Sequence, residues 1–279
     1  MYEDFYGLST RPFSILPDPT FLYLSHGHRA ATALLDYALG ERSGFTVITG
    51  EIGTGKTTLL RHLTARIGPE VAVGMVSNTH PSLGIMSRRV LSAFGVATAS
   101  ADPLVVLEGL QSFLVERGRL GRRALLVIDE AQNLSPDMLE ELRMLSNLNA
   151  ETELLQFILA GQPGLRKTLR RADLEQFTQR VVAEYHLQPL VRAETHLYVK
   201  HRLGVAGIGK RQLFDAAALD AVFDYSGGVP RLVNVLCENT LAYGYACGSK
   251  RIDAALVREV AIDRRRHSVL RLAKQGAAP

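Results

Sequence analysis

Short apolar, β-branched runs alternate with longer segments of helical period as far as Pro189. The runs are Phe45–Thr49, Val71–Ser77, Ala124–Ile128, Leu155–Ala160 and Val182–Leu187. Such continuous hydrophobicity over so few residues reads as strands buried on both faces. Between them, Lys56–Ile67, Ser82–Phe94 and Leu104–Glu116 read as helices. Another helix is marked by Ser135 as N-cap, Pro136 at the first helical position and Asp137 in the first turn, and runs to Leu148. The alternation predicts an α/β fold: a parallel five-stranded sheet with helices on both faces.

After Pro189 the pattern changes. Ala193–Leu203, Asp215–Tyr225, Pro230–Ala246 and Asp253–Arg265 are all helical in period, with no strand between them. A boundary near residue 190 therefore separates an α/β domain, 25–190, from a small all-helical one, 191–267. Ahead of the helix Ser25–Leu39, the segment 1–24 is rich in aromatics and prolines. It reads as an ordered, non-helical arm that packs on the body. The last residues, 268–279, read as a basic and disordered tail.

Composition narrows the setting. The chain has 279 residues, 47% of them hydrophobic and 22% charged, as in ordinary globular proteins. Two cysteines, Cys237 and Cys247, cannot staple a chain this long, so a reducing compartment is expected. The pairs His26/His28 and His196/His201 lack the further ligands of a zinc site. No basic region followed by an apolar stretch opens the chain, and no apolar run approaches the roughly 20 residues of a membrane span. These features predict a cytoplasmic protein. The net charge of +4 permits contact with nucleic acid or anionic lipid without requiring it. Much of the excess lies at Arg264, Arg265, Arg266, Arg271 and Lys274, where a solvated helix end serves equally well.

The strongest chemical signal is Gly50-Glu51-Ile52-Gly53-Thr54-Gly55-Lys56-Thr57. It fits G-x-x-x-x-G-K-[ST] between a predicted strand and a predicted helix, the context that a phosphate-binding loop requires. Glycines let backbone N–H groups turn toward phosphate oxygens, and the helix N-terminus adds a favourable dipole. Lys56 supplies a point charge for the β- and γ-phosphates, and Thr57 a hydroxyl for Mg²⁺. Thr58 lies beside the site. A second signal is Ala124–Ile128 followed by Asp129 and Glu130. Alone, such a pair is an ordinary solvated strand end. Downstream of a phosphate loop, Asp129 is placed to hold Mg²⁺ and Glu130 to polarise the attacking water. Three more residues carry paired readings. Gln162, after the fourth strand, either reaches the γ-phosphate or bonds local backbone. Asn78 either restrains Glu130 or forms a turn. Arg231, in a helix's first turn, opposes the helix dipole, which favours a phosphate partner over a surface salt bridge. Arg180 stands before the fifth strand, where an exposed guanidinium can project into a neighbour.

With these motifs the chain resembles the AAA+ ATPases of the ExeA/GspA group. The resemblance rests on Phe5-Tyr6-Gly7-Leu8, Pro12-Phe13, Pro17-Asp18-Pro19 and Phe21–Ser25, then Gly50–Thr58 and Ile128-Asp129-Glu130-Ala131-Gln132-Asn133-Leu134-Ser135. It continues through Leu145–Leu148, Gly161-Gln162-Pro163, Gln179-Arg180 and Gly227-Gly228-Val229-Pro230-Arg231-Leu232-Val233-Asn234. It implies strand order 5-1-4-3-2, a helical lid, ATP and Mg²⁺ as ligands, and a ring or filament with ATP sites between subunits. It also implies Gln162 as sensor 1, Arg180 as arginine finger and Arg231 as sensor 2, with Arg170 and Arg171 as rival fingers, and the arm over the adenine. The secretion ATPases of the group continue into a membrane span and a peptidoglycan-binding domain. A chain ending at Pro279 is closer to stand-alone, MshM-like members associated with pilus biogenesis. The expected function is ATP-driven conformational work on protein partners of a secretion, pilus or envelope machine. The alternatives are a DNA-binding ATPase regulator of transposition and a nucleotide-gated scaffold with little hydrolysis. Glu130 argues against the scaffold.

Overall fold

The computed structural model describes residues 1–16, 18–40, 44–77, 86–97, 100, 102–147, 154–209 and 211–267. Asn78, the start of the helix expected from Ser82 and the tail 268–279 lie outside them. The chain forms two units. One comprises His28–Ile52 and Lys56–Leu187; the other comprises Met1–Gly27, Gly53–Gly55 and the chain from Gln188 onward.

The first unit holds five parallel strands: β1 (Phe45–Gly50), β2 (Val71–Val76), β3 (Arg123–Ile128), β4 (Leu155–Gly161) and β5 (Val181–Leu187). Their spatial order is β2-β3-β4-β1-β5, the expected 5-1-4-3-2 read from the other edge. Burial separates central strands from edges. Every residue of β1 and β4 is buried, whereas β2 and β5 carry exposed positions, as edge strands must. Alternate residues feed two cores, following the period of two. Leu126, Ile128, Phe157 and Leu159 pack with α4 (Met86–Ala93), α5 (Pro103–Arg119) and α6 (Pro136–Asn147). Leu125, Val127, Ile158 and Ala160 pack with α2 (His26–Gly40) and α3 (Lys56–Arg66). Glu141 of α6 accepts the N–H groups of Met86 and Ser87 at 3.2 and 2.8 Å and so caps the amino end of α4. Two helices escape the sequence pattern: α7 (Pro163–Leu169) and α8 (Glu175–Thr178). Both are too short to display a helical period.

The second unit contains α9 (Arg192–Val205), α10 (Ala216–Ser226), α11 (Pro230–Ala246) and α12 (Ala254–His267), close to their expected bounds. The arm departs from expectation. Tyr2–Tyr6 forms a helix, α1, ended by Gly7 in the left-handed region at φ 66°. The prolines begin only at Pro12, Glu3 and Asp4 favour a helix N-terminus, and Tyr2 and Tyr6, one turn apart, both bury on the same core. Phe13 and Phe21 enter that core with Val199, Leu236 and Cys237.

Arg202 of α9 ties the arm to the helices. It is only 7% exposed. Its Nε donates to Pro12 O at 2.5 Å, Nη2 to Ser14 O at 3.2 Å and Nη1 to the Tyr198 hydroxyl at 3.0 Å. Tyr198 in turn donates to Asn234 Oδ1 at 2.8 Å. The guanidinium also lies 4.9 Å from the Phe21 ring centroid. Its loss removes the donor from the buried Pro12 carbonyl and the half-buried Ser14 carbonyl. Arg202→Ala is expected to lower stability by about 3 kcal/mol in denaturant unfolding. A change below about 1 kcal/mol would contradict this role.

Candidate functional site

Parallel strands deliver their carboxyl ends to one edge of a sheet, and ligands of open α/β sheets gather there. In this chain β4 lies between β1 and β3, with Thr49 opposite Gly161 and Ile128 opposite Leu159. The segments that follow Gly50, Ile128 and Gly161 therefore emerge side by side.

Lys56 opens α3 and is buried. Its Nζ donates to the carbonyls of Gly50 at 2.8 Å and Glu51 at 3.0 Å. Burial pushes its ammonium below the usual lysine range, while the charges of Glu130, Asp129 and Glu51 oppose that shift. The next residue, Thr57, donates its hydroxyl to Asp129 Oδ2 at 2.6 Å. Asp129 is buried, and its Oδ1 accepts the N–H of Glu130 at 2.9 Å. A hydroxyl and a carboxylate so paired form a hard oxygen donor set that fits Mg²⁺. Among the described residues no group of three or more His, Cys, Asp or Glu could hold a metal by itself. A metal here would complete its shell from water and phosphate oxygens, as Mg²⁺ commonly does.

Glu130 is the one described non-glycine residue with a positive φ, at 53°. That conformation costs about 1–2 kcal/mol for an L-residue. Such strain is characteristic of residues held for a task. Its Oε2 accepts from Gln132 Nε2 at 2.6 Å and lies 3.5 Å from Gln162 Nε2. The N–H of Gln162 donates to Gln132 Oε1 at 2.9 Å. Lys56, Thr57, Asp129, Glu130 and Gln162 are thus brought together in the sheet-bearing unit. Gln132 joins them, although no period or spacing singles out the second residue after Glu130. Thr58 is exposed on α3, and Glu51 and Ile52 are exposed in the loop.

Gly53, Thr54 and Gly55 group with the helical unit. There the N–H of Arg231 donates to Gly53 O at 3.2 Å. Arg231 follows Pro230 in the first turn of α11. The preceding Gly228 has φ +72°, and a Cβ there would collide with Leu190 O. The Gly-Gly-Val-Pro-Arg stretch owes that glycine to the close approach, since any side chain would strike backbone.

Arg180 is not brought to the same edge. It precedes β5, opposite Phe45 at the amino end of β1, one strand length or about 17 Å from the loop. Its Nη1 donates to Ser146 Oγ at 2.8 Å. Of its rivals, Arg171 is paired with Asp173 at 2.8 Å, and Arg170 is exposed. No helix of the described residues is long and apolar enough to cross a membrane.

Residues 39–169 match the family model described as an AAA domain. Over 254 residues the chain is 39% identical to General secretion pathway protein A of Aeromonas hydrophila, which covers 90% of this chain and 46% of that relative. The chain thus spans about half the length of that relative. Among solved structures, the fold is similar to the ORC2 protein of Aeropyrum pernix in its ADPNP–ADP complexes. That match has a TM-score of 0.66 at 18% identity, over 91% of this chain and 72% of the other. Cdc6p of Pyrobaculum aerophilum matches with a TM-score of 0.68 at 17% identity, over 90% and 70%. The RuvB branch-migration motor of Thermotoga maritima matches with a TM-score of 0.54 at 18% identity, over 88% and 73%. At these identities the likeness is one of fold.

Proposed function

We propose that this chain, an ExeA/GspA-like AAA protein, binds ATP with Mg²⁺ at Gly50–Thr58 and hydrolyses it to drive conformational work on a protein partner. The observation that carries this reading is the junction of Lys56, Thr57, Asp129 and Glu130 at the carboxyl edge of the sheet. Lys56 already holds its ammonium on loop carbonyls and turns it to the β- and γ-phosphates on binding. Thr57 and Asp129 are the residues that would hold the metal. Mg²⁺ bound with the nucleotide neutralises charge on the transferring phosphoryl group. Glu130 orients the attacking water and accepts its proton. Gln162 serves as the γ-phosphate sensor, and Arg231, bonded through its backbone to Gly53, offers a cation to the phosphates.

Arg180 is assigned to a neighbouring subunit's site. Its position at the opposite edge of the sheet suits a group that acts in a second copy, within a ring or filament. The partner reading is supported by the 39% identity to a general secretion pathway protein. On this reading the chain works at an envelope, secretion or pilus machine, from the cytoplasmic side. Within this reading the segment 1–24 is the arm, 25–190 the nucleotide-binding domain, 191–267 the lid and 268–279 the tail.

Steady-state phosphate release tests the chemistry. Glu130→Gln is expected to bind ATP as the parent does and to hydrolyse it about 100-fold more slowly or worse. Equal rates in the two proteins would remove the catalytic role of Glu130. Arg180→Ala is expected to keep ATP binding and lose about 1000-fold in turnover under assembling conditions. Full turnover would show that another group acts as the finger.

A further inference from the structure

The Gln132 side chain makes two bonds of opposite polarity. Its Oε1 accepts the Gln162 N–H at 2.9 Å, and its Nε2 donates to Glu130 Oε2 at 2.6 Å. An amide is suited to this double duty, being donor and acceptor at once. The backbone N–H also fixes which end of the amide is which, because only the oxygen can accept from it. The NH₂ is thereby aimed at the carboxylate.

The strand end is shaped for this contact. A Cβ on Gly161, the last residue of β4, would come 2.9 Å from Gln132 Oε1 and 3.1 Å from the Gln132 backbone nitrogen. The glycine lets Gln132 lie against the strand. At the other end of the link, Glu130 is held in the left-handed region, with its N–H on Asp129 Oδ1. Its backbone is thus set by Asp129. The terminal torsion of a glutamate is broad, so a fixed backbone does not orient the carboxylate. The Gln132 amide, at 2.6 Å the shorter of the two amide contacts on Oε2, does.

We propose that Gln132 is a positioning residue, which sets the orientation of the Glu130 carboxylate and ties it to the end of β4 at Gln162. Displacement of Gln162 at the phosphate site is then passed to Glu130 through the Gln132 amide, beside the longer 3.5 Å contact of its own Nε2. This rests on the reading of Glu130 as the group that activates water. A base misplaced by about 1 Å can lose about 100-fold in rate.

Two substitutions in the full chain separate positioning from mere support. Gln132→Glu keeps an oxygen for the Gln162 N–H but loses the donor to Glu130. Gln132→Met keeps the length and loses both. Both are expected to lower kcat for ATP about 100-fold, with KM and affinity for a fluorescent ATP analogue unchanged. Residues that act as a unit are non-additive, so Glu130→Gln combined with Gln132→Met should be no slower than Glu130→Gln alone. Gln132→Glu turning over at the parent rate would overturn the proposal, and so would a double variant whose losses multiply. Loss of affinity in step with kcat would do the same, since it marks a structural role. The two readings fail differently. If Glu130→Gln is slow and Gln132→Glu is not, only the positioning role falls. If Glu130→Gln matches the parent, both fall.

Discussion

The bond from the Thr57 hydroxyl to Asp129 at 2.6 Å joins residues that follow strands β1 and β3, which are not neighbours in the sheet. It exists only because β4 spaces those strands and the parallel register brings their carboxyl ends level. A slip of one residue in either pairing would turn each side chain to the opposite face. The site is therefore a consequence of sheet register, and the two cores that fix the register also fix the chemistry.

That arrangement has an energetic cost. It buries an ammonium and a carboxylate at the same edge and holds Glu130 in a backbone region that L-residues avoid. Hydrogen bonds offset part of it: Lys56 is solvated by two loop carbonyls, Asp129 by a hydroxyl and an N–H, Glu130 by an amide. A folded core of this size can bear a few kcal/mol of such strain. The same polar groups are those that a nucleotide and its metal would engage.

Much of this was legible in the residues. The buried strands announced themselves because β1, β3 and β4 are apolar on both faces, and the phosphate loop because few other sequences satisfy its spacing. The strand order came from resemblance, since local pattern does not encode which strands pair. Helix α1 was hidden by the prolines that follow it, and α7 and α8 by their brevity. Gln132 was invisible for a different reason. Two residues from Glu130 it shares no face in a helix, no strand is read beyond Ile128, and the left-handed turn at Glu130 folds it back toward the carboxylate. Tertiary partnerships, like that of Arg202 with Pro12 and Ser14, likewise leave no local trace.

The account stands or falls on the loop as a phosphate site. The most direct test is titration of the full chain with ATP and Mg²⁺, followed by the heat of binding, in parent and Lys56→Ala. The account predicts saturable binding by the parent and affinity weaker by about 100-fold in the variant, the loss of one charge-assisted contact. Equal affinity in the two proteins would contradict it.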